Sequence, residues 1–413
     1  MKTFFKNRYS LPALFLFFAG ISFFYFRELP LSERKTSLEN YAADIFSRCA
    51  NTQFAPDCYD KEIPKLTDTI SLEEAFEVTK LVQEKDPRYL YCHVLGHKLS
   101  YKEAARDPKN WKDVITRCPT TFCNNGCLHG ALIQRFNKTY LNDEQIEELK
   151  KDLVDVCEPR GNWNPVEVER SMCYHALGHM AMYITKADIR KAIPLCDFVG
   201  TKTDGRNYVQ TCTEGIFMQV YQPLEPEDFE LIHSIAPGKG TVPEFCASYK
   251  NINPFSFDAC RREAWPLFRQ EILKPEGYLQ FCSYTENRTW QYTCWAALMN
   301  IVTIALGIES GKTADIEKFC KELPENPRLP ETPRETCFAH AARQFIQIDP
   351  RYADKAFEIC KTADALNAGE PCFKLLIQFG RKSFHKASRD FIEYCRGFPE
   401  SWKNECLNQK GSF

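Results

Sequence analysis

Five of the eight histidines stand at the starts of three apolar segments. The first segment reads Cys92-His93-Val94-Leu95-Gly96-His97. The second reads Gly126-Cys127-Leu128-His129-Gly130, and the third Cys173-Tyr174-His175-Ala176-Leu177-Gly178-His179. The first and third share the pattern H-x-L-G-H. On a helix, residues four apart lie on one face, so His93 projects with His97 and His175 with His179. If the segments stack in chain order, His129 falls between the two pairs. Imidazole is the commonest metal-ligating side chain, and such a set suits zinc, copper or iron. The next segment, Cys212-Thr213-Glu214-Gly215, carries a glutamate at the place of the histidine, a candidate oxygen ligand or general base. The glycines let neighbouring backbones approach.

Two other readings stand beside the metal centre. A packing motif duplicates along with its repeat, and buried imidazoles can simply bond to carbonyls. The cluster can also hold a ligand without metal. The H-E-x-x-H zinc motif, the nucleophile elbow, the phosphate-binding loop and the dinucleotide fingerprint are all absent. His340 stands alone after Cys337 and reads as a packing residue; His233 and His385 read as surface residues.

The elements that must position these side chains are marked by twenty cysteines, spread along the whole chain with no C-x-x-C pair. That rules out a thioredoxin-type motif and points to structural disulfides in an oxidising compartment. One class of cysteine closes an amphipathic stretch, and the other opens an apolar one. Each unit therefore reads as a strongly apolar helix, a loop, and an amphipathic helix ending at the next cysteine. Closing and following opening cysteines sit at one end of adjacent helices, within reach of each other. The expected pairs are Cys157–Cys173, Cys196–Cys212, Cys246–Cys260, Cys282–Cys294, Cys320–Cys337, Cys360–Cys372 and Cys395–Cys406, with Cys49–Cys58 at the start. The remaining four give Cys92–Cys123 and Cys118–Cys127.

The fold class that follows is all-α: a right-handed α/α helical-repeat solenoid of about eight helix pairs. Start signals agree, with a capping box at Ser71 to Glu74, a similar cap at Asn142 and Gln145, and an acidic first turn after Thr313. In repeat length and helix count the chain resembles tetratricopeptide or Sel1-type repeats. The tetratricopeptide Trp, Gly and Tyr signature is missing, so no residue role carries over.

The N-terminus adds a tether. Lys2, Lys6 and Arg8 precede an uncharged apolar run over residues 9–26. Its length suits one bilayer crossing, and its positive flank favours a cytoplasmic N-terminus. The bulky end at Phe23, Phe24, Tyr25 and Phe26 favours an uncleaved signal anchor over a cleaved peptide. The expected organisation is a cytoplasmic segment 1–8, a transmembrane helix 9–26, a stalk 27–40, histidine-bearing repeats 41–235 and C-terminal repeats 236–413, with a Pro- and Gly-rich stretch at 222–244 between the last two. The bulk is periplasmic, extracellular or lumenal. A net charge of -2, with no long basic run beyond the N-terminus, argues against nucleic acid as a partner. Two functions are expected from different classes. One is an anchored binding or assembly module for a protein or peptide. The other is a metal-dependent hydrolase or oxidase built on the histidines and Glu214.

Overall fold

The computed structural model describes residues 31–408, apart from 120, 137–138, 310–311 and 326–331. The apolar run at 9–26 lies outside the described residues. Within them the chain is helical, with no β-strand and only two isolated bridges.

The eight helices that begin at or around the opening cysteines are α1 (His93–Arg106), α2 (Gly126–Phe136), α3 (Glu167–Ile184), α4 (Val209–Tyr221), α5 (Ser256–Glu263), α6 (Arg288–Thr303), α7 (Pro333–Ile348) and α8 (Gly369–Ser383). The cysteine marks the start of α1 and α2. From α3 onward each helix begins about a turn or two earlier, and two of them start at side-chain caps: Asn287 for α6, and a Thr332–Glu335 capping box for α7. The caps at Ser71 and Asn142 form as their sequences dictate. Burial is deepest in α3, where every residue from Cys173 to Ile184 is buried.

All ten expected disulfides form, and among the described residues no cysteine is free. Their Cα separations run from 4.8 to 5.7 Å. Closing a loop of about 15 residues stabilises by about 3 kcal/mol in the chain-entropy model. So dense a set of bridges belongs to an oxidising, extracytoplasmic compartment.

Each of the eight helices packs on the next in chain order. A simple stacked array would stop there, with each unit touching only its neighbours. Here the row also curls back: α8 touches α3, and α7 touches the turn at Phe122–Asn125. Gln347 donates to the Asn124 side chain at 3.3 Å, and Arg351 donates to Gln83 at 2.7 Å. The buried apolar residues form two clusters, one running from Leu38 to Ala264 and one from Ile272 to Cys406. Among the described residues, the single helix long and apolar enough to cross a membrane is Arg288–Ile308, and half of it is buried within the protein.

Candidate metal centre

Close backbone approach puts the histidines together. A Cβ on Gly130 of α2 would lie 2.1 Å from the His97 carbonyl oxygen, and one on Gly215 of α4 would lie 2.1 Å from that of His175. Only glycine permits such contact. It holds α1 on α2 and α3 on α4 closely enough for their side chains to share one space. All five imidazoles are at most 7% exposed.

The i,i+4 pairs converge as their spacing requires. His93 Nε2 and His97 Nε2 are 3.0 Å apart, and His175 Nε2 and His179 Nε2 are 3.2 Å apart. His129 stands between the pairs. Its ring centre is 5.2 and 5.1 Å from those of His93 and His97, and 5.5 and 5.3 Å from those of His175 and His179. His129 Nε2 is buried and makes no hydrogen bond among the described residues. The ligand atoms of His93, His97 and His129 all lie within 4.8 Å of one another, so this triad could hold a metal ion.

The outer ring nitrogens fix the tautomers. His93 Nδ1 faces the carbonyl oxygens of Cys123 and Asn124 at 3.4 and 3.2 Å, so it donates and leaves Nε2 its lone pair. Those carbonyls are presented by a strained turn: Cys123, Asn124 and Asn125 all have positive φ, at 51°, 48° and 58°. The left-handed region costs a non-glycine residue about 1–2 kcal/mol. Cys92–Cys123 clamps the turn. On the other side, His179 Nδ1 donates to Gln219 Oε1 at 2.6 Å, and Gln219 Nε2 donates to Asp228 Oδ1 at 2.6 Å. Asp228 is itself fixed by the Tyr183 hydroxyl and by the backbone N–H groups of Leu224 and Glu225. The Thr211 backbone hydrogen-bonds to His175, whose Nε2 faces His179 and lies 3.2 Å from Met218 Sδ. His179 Nδ1 donates outward, so the Nε2 lone pair of His179 faces His175 Nε2.

Burial is the main cause that pushes all five imidazoles below their ordinary pKa, His93 to about 4. Mutual repulsion among the rings adds to it for His93, His97, His129 and His175. The ring hydrogen bonds of His93, His175 and His179 offset part of it. Neutral imidazole is the form that ligates metal.

Glu214 occupies the place on α4 that His129 holds on α2, but its carboxylate meets Arg262 of α5 and accepts from Gln210 at 2.9 Å. Arg262 is 3% exposed and also pairs with Asp258 at 3.0 Å and Glu263 at 3.8 Å. Glu214 is thus engaged in an ion-pair cluster and does not join the triad. His340 accepts or donates with Tyr292 at 2.9 Å, and His233 and His385 are exposed.

The residues that sequence reasoning missed are Gln219, Asp228, Tyr183 and the Cys123–Asn124 carbonyls. One signal was available. Cys127-Leu-His-Gly-Ala-Leu-Ile-Gln134 and Cys212-Thr-Glu-Gly-Ile-Phe-Met-Gln219 share a glutamine seven places after the cysteine. No family model, curated protein or solved structure matches the chain.

Proposed function

We propose that the chain is a membrane-tethered, extracytoplasmic protein, a curled helical-repeat solenoid whose histidine centre holds a transition-metal ion. Zinc, copper and iron are the ions whose chemistry suits an all-imidazole donor set. The observation that carries this reading is the buried triad of His93, His97 and His129, whose ligand atoms lie within 4.8 Å of one another, with the close Nε2 atoms of His175 and His179 beside it. Two nitrogens bound to one ion at about 2.0–2.1 Å sit roughly 2.8–3.4 Å apart at octahedral or tetrahedral angles. His93, His97 and His129 would hold the ion, with His175 and His179 alongside. The Gln219–Asp228 chain and the strained turn orient the rings, as partners behind metal ligands do elsewhere. A bound ion supplies Lewis acidity, and copper or iron adds electron transfer.

A second reading, a binding module for a protein or peptide, is favoured by Leu224 and Phe229. They are 41% and 57% exposed on the segment that carries Asp228. Metal quantification on the purified chain separates the two. The metal reading expects near-stoichiometric ion in the wild type, and loss of it with folding intact in a variant with His93, His97, His175 and His179 changed to alanine. A wild type without bound metal, alongside variants that simply unfold, would return the histidines to a packing role.

A further inference from the structure

A cavity of about 240 Å³ reaches the imidazole cluster from outside. Its buried members include His97, Gly130 and Tyr183, while Lys98, Glu225 and Glu227 on its lining are partly exposed. The passage therefore runs from a charged mouth to a residue of the candidate centre. His97 is the one histidine on its lining. At about 30 Å³ per water, a six-hydrated cation occupies roughly 180 Å³ and fits the space. The mouth carries two carboxylates against one ammonium. Lys98 lies close enough to Glu225 to offset its charge, whereas Glu227 forms no ion pair among the described residues. A narrow mouth with surplus negative charge and low-dielectric walls concentrates cations.

We infer that this cavity is the port through which the centre is loaded with a divalent ion. Glu227 and Glu225 draw the hydrated ion into the mouth, and their oxygens replace part of its water shell. His97 is the first imidazole it meets, and the ion passes from oxygen to nitrogen donors as it settles. Lys98 opposes entry and so sets the rate from the other side. The inference rests on the reading of the histidines as a metal centre, and the two can fail separately.

The test is the rate of zinc uptake by the full chain, purified in detergent and stripped by a chelator, followed by stopped flow with equilibrium affinity measured in parallel. At low ionic strength, E225Q/E227Q slows uptake by roughly 10-fold, the lower end of electrostatic steering effects. K98Q speeds it, and affinity stays within about twofold in both. High salt removes the differences, because exposed charges are then screened. A chain that loads zinc normally, at a rate indifferent to E225Q/E227Q and K98Q, overturns the port alone. A wild type that takes up none of zinc, copper(II) and iron(II) overturns the centre and the port together.

Discussion

The helix couples α1/α2 and α3/α4 are built alike and end differently. Each brings two imidazoles four residues apart into contact, and each relies on a glycine pressed against a histidine carbonyl. They diverge at the residue two places after the opening cysteine of the second helix. In α2 this is His129, which faces both imidazole pairs; in α4 it is Glu214, which turns to Arg262 on the next helix. The same place in successive helices reads His129, His175, Glu214, Arg262. One position thus decides whether a couple adds a ligand or an ion pair. The couples also orient their rings by unlike means: a strained turn for His93, and a side-chain relay for His179.

The largest effect expected from breaking this difference is on the ion-pair side. Arg262→Met strands Glu214, Asp258 and Glu263 beside one another in a largely buried cluster. Breaking a buried pair by removing one partner costs about 3–5 kcal/mol, so the melting temperature should fall sharply with little change in metal content of the folded fraction. Metal loss at full stability would place Arg262 in the centre instead.

Acid should strike the imidazole side next. Folded His93 titrates at about 4, against about 6.5 in an unfolded chain. Between those values the unfolded state binds more protons, so stability falls as pH drops from 6.5 toward 4. His93 alone accounts for about 3 kcal/mol of this, at about 1.4 kcal/mol per pH unit. Chelator-treated wild type should show the loss in denaturant titrations, and a variant lacking the five histidines should not.

His129→Ala should weaken metal binding by more than about 100-fold, or about 2.7 kcal/mol. Glu214→Ala should change it less than about threefold. Equal effects in isothermal titration would erase the distinction between the couples. A loss smaller than that of His129→Ala is expected from Gln219→Leu, which uncouples His179 from Asp228. Loss of such an orienting partner costs about 10–100-fold in metal affinity. An unchanged affinity would leave the relay a purely structural device.

The disulfides were legible because each closing and opening cysteine announces itself by the apolar pattern around it. The imidazole pairs were legible because helical spacing alone aligns residues four apart. Contacts between distant segments were not. Nothing local to Asn124 or Gln347 shows that α7 comes back to the first turn, because that depends on the summed curvature of the whole row. Asp228 was hidden for another reason. The stretch at 222–244 looks irregular from its Pro and Gly content, yet it forms the short helix Pro226–Ile232 that delivers the carboxylate to Gln219. Glu214 matched His129 in sequence position, and only the packing of Arg262 against it shows where its charge is used.

X-ray absorption at the metal edge of the purified chain tests the central claim most directly. The account predicts a shell of at least three nitrogens at about 2.0–2.2 Å, with the outer-shell scattering of imidazole rings. A shell of oxygen or sulfur, or a chain carrying no metal after purification in its presence, would contradict it.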